Sequence, residues 1–215
     1  MPPVVVIGAG PGIGAAVARR FARQGLPVAL IARSATTLQA VAATVGSPGA
    51  PPLCLAADAA DDTALRRALD TVTATLGVPE AVVYNAAIIQ RDNPGDLPVQ
   101  GHLQAWAVNV IGALTAAAHI LPDMARAGGG SFLATGGMPD PEPRYTSLSL
   151  GKAGLRALVS LLASHYGPDG VHVATVTVAG TVAPGTAFDP DDIAEHYWQL
   201  HSQPRGHWQL EIIHR

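Results

Sequence analysis

The sequence predicts a doubly wound α/β domain, with helices covering both faces of a mainly parallel seven-stranded sheet, on three observations. Short runs rich in Val, Ile and Leu alternate along the chain with longer stretches of helical period. The first apolar run ends in a glycine turn, GAGPGIG, that opens directly into a helical stretch. The length, 215 residues, suits one domain and allows a chain to bury most of the surface it exposes when unfolded. Continuous apolar runs, rather than alternating ones, mark strands buried on both faces and linked by right-handed crossovers.

The elements follow in order. VVVIGAG (4–10) is a strand and GIGAAVARRFARQG (12–25) a helix; PVALIAR (27–33) and ATTLQAVAATVG (35–46) repeat the pair. PPLCLAAD (51–58) and DTALRRALDTVTATLG (62–77) form the third unit, and EAVVYNAA (80–87) is the fourth strand. A long helix is expected over 103–128, a strand over 130–137, a helix over 149–166 and a strand over 171–180. A short helix over 189–203 and a last strand over 207–214 complete the set. Pro/Gly-rich loops are read at 47–52 and 137–143. One domain over 1–215 results, with a C-terminal segment from about residue 181 assigned to substrate or to oligomer contacts.

Composition narrows the partners. With 48% hydrophobic and only 13% charged residues, the chain is rich in core and poor in solvating surface, which points to a homodimer or homotetramer. A net charge of -3 and scattered arginines give no basic footprint for nucleic acid. Cys54 stands alone, so no disulfide framework exists; its apolar run predicts a buried, inert thiol and a reducing, cytoplasmic setting. The N-terminus has no basic leader region, and no segment offers about 18 uninterrupted apolar residues, so no membrane partner is expected.

The glycine turn is the first functional signal. Gly8, Gly10, Gly12 and Gly14, with Ile13, allow a tight turn and the approach of backbone N–H groups to a pyrophosphate at a helix N-terminus. At the end of the second strand, where a free ribose 2'-hydroxyl would favour an acid, the chain has Ala32, Arg33 and Ser34. A guanidinium and a hydroxyl suit a 2'-phosphate, which favours NADP(H) over NAD(H) against the plainer role of a solvated arginine. Asp58, followed by Ala59, is placed to accept from an adenine amino group, or else to cap the helix that starts at DDTAL.

Together these residues resemble the short-chain dehydrogenase/reductase family over nearly the whole chain. Gly8, Gly12 and Gly14 match its GxxxGxG turn, Asp58 its Asp after the third strand, and Asn85, Ala86 and Ala87 its Asn-Ala-Gly turn. Asn109 matches the family's helix Asn and Lys152 its catalytic lysine. The resemblance implies a Rossmann-type fold and redox chemistry with a nicotinamide cofactor on a small-molecule substrate. Two positions depart from it. Gly136 and Gly137 stand where the family has its catalytic serine, with Thr135 the nearest hydroxyl, and YxxxK is replaced by LxxxK at Leu148. The stretch 180–192 also leaves little room for substrate-covering helices, so the pocket is expected to be open or completed by a neighbouring subunit.

Tyr145 offers a relocated phenol. Positions seven apart share one helix face about 10 Å apart along the axis, within joint reach of a tyrosine and a lysine. Enoyl reductases of the same superfamily are similar here: they use Tyr-x6-Lys with an apolar residue third after the tyrosine, and dispense with the serine. In that scheme Tyr145 donates a proton to an oxygen gaining negative charge, Lys152 holds the nicotinamide ribose and Asn109 supports the lysine. The alternative is a Tyr145 that packs over substrate or a partner. Ser147 and Ser149 read as helix-start residues, and His196 and His201, five apart, as solvated or interface residues rather than metal ligands. Tyr197, Trp198 and Trp208 are expected to pack the last helix and strand, and Trp106 to lie in the core or an interface. The expected activity is NADPH-dependent reduction of a carbonyl, or of a C=C bond conjugated to one, in a small apolar substrate. The alternatives are an NADP(H)-binding sensor or scaffold, and a non-redox isomerase or cyclase.

Overall fold

A computed structural model describes residues 1–46 and 50–215; the loop expected at 47–52 lies partly outside the described residues. Seven strands form one sheet: β1 (Val4–Ile7), β2 (Val28–Ala32), β3 (Leu53–Ala56), β4 (Ala81–Tyr84), β5 (Gly130–Gly137), β6 (Val171–Val178) and β7 (Glu211–His214). Their order is β3-β2-β1-β4-β5-β6-β7, and every neighbouring pair is parallel. The chain leaves β1 toward one edge and returns at β4 toward the other. In such a sheet the loops after β1 and β4 diverge and open a crevice at the carboxyl ends of the strands.

The helices are α1 (Ile13–Ala22), α2 (Ala35–Ala42), α3 (Asp62–Leu76), α4 (Val99–Trp106), α5 (Gly112–Arg126), α6 (Thr146–Tyr166) and α7 (Pro190–His201), with a π-helical turn, Ala107–Ile111, joining α4 to α5. Period two within the strands divides the core. Val5, Ile7, Val82 and Phe132 face α3, α5 and α6, while Val4, Val6, Val83 and Leu133 face α1, α2 and α7. Burial of each such side chain contributes roughly 1.5–3 kcal/mol, which is why both faces must be covered. The stretch Val99–Arg126 is long and apolar enough to cross a membrane, but 61% of its most apolar window is buried inside the domain, as befits a core helix.

Several boundaries differ from the sequence reading. The long helix starts at Val99, after Pro98, rather than at residue 103, and α6 starts at Thr146 rather than at 149. Cys54 is exposed, not buried. The reason is topological: β3 is an edge strand whose residues alternate in burial, and Cys54 falls on its open side. Residues 190–214 are built into the sandwich, since α7 lies on α1 and β7 extends the sheet. Arg19 pairs with Asp191 at 2.6 Å and Arg20 with Glu195 at 2.7 Å, while the Trp198 ring meets Phe21 edge-on. Irregular connections remain at 181–189, after β6, and at 202–210, before β7.

Candidate cofactor and active site

The crevice predicted by the topology is present as a cleft of about 320 Å³ at the ends of β1 to β4. Gly8 and Gly10 line it from the first loop, Arg33 and Ser34 from the second, Asp58 and Ala59 from the third, and Asn85, Ala86 and Ala87 from the fourth. Gly8 has φ +86°, and a Cβ there would collide with the backbone of Asn85 and Ala86, so only glycine lets the two central turns touch. A Cβ at Gly14 would stand 2.7 Å from the Gly8 carbonyl oxygen, which fixes α1 close against the turn. Gly10 and Gly12 face open space instead. Gly12 is the N-cap of α1 and supplies no capping side chain, so the positive end of the helix, with Ile13 and Gly14 in its first turn, is open to an anion.

Arg33 is exposed and forms no ion pair among the described residues. Ser34 accepts from the Thr37 amide at 3.2 Å as the cap of α2 and keeps its own proton to give. Thr37, Ile88 and Val108 also line the cleft and were not read from the sequence; only Thr37, three residues past the cap, carried a local signal. The capping role considered for Asp58 belongs to Asp61, whose side chain accepts from Ala64 at 2.9 Å. Asp58 accepts from the Ala60 amide at 3.0 Å and lines the cleft.

Below the cleft runs a chain of hydrogen bonds. The Asn85 amide donates to the Gly8 carbonyl at 2.8 Å, and its oxygen accepts from the Thr135 hydroxyl at 2.8 Å. The Thr135 proton is therefore committed to Asn85. A Cβ at Gly136 would collide with Thr177, so no side chain fits there. At Gly137 a Cβ would make only ordinary contacts, 3.6 Å from Cε of Lys152.

Lys152 is the single lysine of the chain. It is only 6% exposed, and its Nζ donates to the Thr135 carbonyl at 2.6 Å. Burial, with the Arg156 guanidinium adding to it, pushes its pKa down from 10.5 to about 8. Arg156 donates to the carbonyls of Gly137 and Met138, holding the end of β5 where Met138 takes φ +47°. Leu148 lies one helical turn before Lys152 and is 4% exposed. Asn109 sits in the π turn, accepts from the Ile88 amide at 2.7 Å and donates to its carbonyl at 3.3 Å. A Cβ at Gly151 would come within 2.8 Å of Asn109, so this residue touches the helix beside Lys152 while bonding to the β4 loop.

Tyr145 precedes the first turn of α6 as its N-cap, with φ -139° and ψ 50°. Its hydroxyl accepts from Nε of Arg91 at 3.3 Å, and the guanidinium carbon stands 5.9 Å from the ring centre. No hydrogen bond joins Tyr145 to Lys152 among the described residues. The side-chain cap of α6 comes from far away: buried Asp92 accepts from the Ser147 amide and hydroxyl, both at 2.9 Å. The Thr146 amide donates to the Asp92 carbonyl and the Asp92 amide to that of Arg144, each at 3.0 Å, which clips the β4 loop to the start of α6. Ser149 accepts from the Glu142 amide at 3.1 Å. Both serines hold the helix start, as read from the sequence.

One expectation about the aromatic side chains needs correction. His201 is not solvated: it packs against Phe21 and Trp198, bonds to Ser131 at 2.7 Å, and burial first, then His172, pushes its pKa down to about 4. Tyr197 packs as expected, but its buried hydroxyl also reaches Thr135 at 2.6 Å. Trp198 and Trp208 pack as expected, Trp208 stacking on His172, and the Trp106 ring covers Gly154 on α6.

With this geometry in place, known proteins give the comparison. Residues 3–192 match the family model described as short chain dehydrogenase. The chain is 32% identical over 173 residues to a probable galactose dehydrogenase, GalD, of Rhizobium meliloti (strain 1021), covering 79% of this chain and 68% of the relative. It is 27% identical over 175 residues to a D-threitol dehydrogenase of Mycolicibacterium smegmatis, covering 80% and 67%. Among solved structures, a metagenomic short-chain oxidoreductase in complex with NADP superposes with a TM-score of 0.89 at 26% identity, over 99% of this chain and 96% of that one.

Proposed function

This chain belongs to the short-chain dehydrogenase/reductase family of oxidoreductases, and we propose that it is an NADP(H)-dependent member that reduces a carbonyl, or a C=C bond conjugated to one, in a small apolar substrate. The observation that carries the reading is the cleft in which the glycine turn, Arg33 with Ser34, and Asp58 converge on the open end of α1. The side-chain-free edges of Gly10 and Gly12 leave space for a pyrophosphate, and Arg33, Ser34 and Thr37 offer a cation and two hydroxyls to a 2'-phosphate. When bound, the reduced cofactor supplies hydride. Lys152 holds the nicotinamide ribose, Asn109 keeps the β4 loop against the helix that carries Lys152, and the phenol of Tyr145 gives its proton to the substrate oxygen as negative charge develops there.

A second reading, NADP(H) binding without turnover, is favoured by the apolar Leu148 and the bare Gly137 at the two altered positions. Fluorescence titration with NADPH and NADH, followed by absorbance at 340 nm with a panel of ketones and enones, separates the two. Tighter binding of NADPH with turnover is expected; tight binding with turnover on no member of the panel would establish the second reading.

The partner proposed is a second copy of this chain, in a dimer or tetramer. Leu103, Trp106, Ile111 and Leu114 on the long helix and Leu150 and Leu161 on α6 are exposed, and residues 99–122 contain no Asp, Glu, Lys or Arg. An uncharged face of this kind is matched best by another like itself. Sedimentation of the purified protein is expected to give at least twice the 22.0 kDa chain mass, and Leu114→Glu to shift it toward monomer. A reducing, cytoplasmic setting is proposed with it, in keeping with one exposed, unpaired thiol.

A further inference from the structure

We propose that Tyr197, on the C-terminal helix α7 and beyond the last family-matched residue, is a positioning residue that sets Lys152 and the glycine turn in their working places. The inference rests on the cofactor reading above for its consequence, and on four hydrogen bonds for its geometry. Thr135 is reached from both faces of the sheet. From the side of α7, the Tyr197 hydroxyl stands 2.6 Å from the Thr135 hydroxyl; from α6, Lys152 donates to the Thr135 carbonyl at 2.6 Å.

The direction of the chain follows from its ends. The Gly8 carbonyl can only accept, so the Asn85 amide nitrogen faces it and the Asn85 oxygen faces Thr135. That oxygen can only accept, so Thr135 spends its one proton there, and Tyr197 must donate to Thr135. Tyr197 is wholly buried, and a phenol that lost this acceptor would have no water to turn to. One donor on α7 thus orients the threonine whose carbonyl holds Lys152 and whose hydroxyl, through Asn85, holds the Gly8 carbonyl. The Gly8 turn at the cleft and the buried Lys152 are thus both referred to one residue of the C-terminal helix.

The chain's single lysine makes the test direct. Protein labelled with 13C at the lysine Cε gives one lysine signal, whose pH titration reports Lys152 alone. Tyr197→Phe keeps the ring and removes only the donor. It is expected to lower the Lys152 titration midpoint, because a loosened Thr135 carbonyl stabilises the ammonium less, and to raise the Kd for NADPH about three- to tenfold, the value of one ordinary hydrogen bond. Thr135→Val should act in the same direction, and the double variant should be no weaker than Thr135→Val alone, since both cut one path. A Tyr197→Phe protein with a lower melting temperature but an unchanged lysine midpoint and unchanged NADPH affinity would overturn the inference and leave Tyr197 a packing residue. If the unaltered protein binds neither NADPH nor NADH, the cofactor reading falls, and the lysine midpoint alone still decides whether Tyr197 positions Lys152.

Discussion

Lys152→Met is expected to cut turnover at least about 100-fold, the scale of losing a group that orients the reacting partners, and to leave the protein as stable as before or more stable. The two halves have separate causes. Methionine matches the reach of the lysine stem but offers neither charge nor donor to a ribose, so the loss falls on cofactor placement. Stability moves the other way because an ammonium only 6% exposed costs free energy to bury, as its pKa of about 8 records. Against this, the Thr135 carbonyl loses its donor, a cost of about 1–3 kcal/mol. The two terms are of similar size and opposite sign. Their pH dependence separates them. The folded pKa of about 8 lies below the ordinary 10.5, so below pH 8 Lys152 is protonated in both states and the burial cost is carried in full. Between about pH 8 and 10.5 the unfolded chain binds a proton that the folded protein has shed, and stability rises with pH. Denaturant midpoints for the unaltered protein and Lys152→Met at pH 7 and pH 10 should therefore show the unaltered protein gaining on the variant at the higher pH. A parallel response of the two proteins would mean that Lys152 is not a buried cation.

What the sequence revealed was what neighbouring residues encode together. The glycine turn was legible because strand, turn and helix lie within a dozen residues, and steric demand at Gly8 and Gly14 leaves no other residue type for those places. Arg33 and Ser34 were legible for the same reason, at the end of a strand whose burial is continuous. The start of α6 was not, because its side-chain cap, Asp92, lies 55 residues away from Ser147 and no local pattern announces it. Cys54 misled because an apolar run in an α/β chain reads as a central strand, whereas strand order makes β3 an edge. Tyr197 was read by residue type alone and His201 by its spacing from His196. Their polar atoms meet Thr135 and Ser131 on β5, contacts that only the packing of α7 against the sheet creates.

Tyr145→Phe is expected to lower turnover about 100-fold, the lower end of what a positioned acid contributes, with NADPH affinity unchanged. The affinity should hold because the phenol bonds to Arg91 and to none of the residues lining the cleft. Removing an exposed, 3.3 Å hydrogen bond should also cost the fold little, about 1 kcal/mol or less. A drop in turnover without a drop in melting temperature is thus a statement about proton transfer. The complementary experiment rebuilds the family's usual pair. Gly137 has ordinary space around a Cβ, and position 148 lies one turn from Lys152 on the same helix face, so Gly137→Ser with Leu148→Tyr places a hydroxyl and a phenol beside the single lysine. That double variant should retain carbonyl reduction when Tyr145→Phe is added, since the acid then no longer comes from Tyr145. If Tyr145→Phe instead changes nothing in the unaltered background, the phenol is not the acid. If, in addition, the rebuilt pair alone produces activity, the chain is a cofactor-binding protein whose chemistry was lost at two positions while the cleft that serves it was kept.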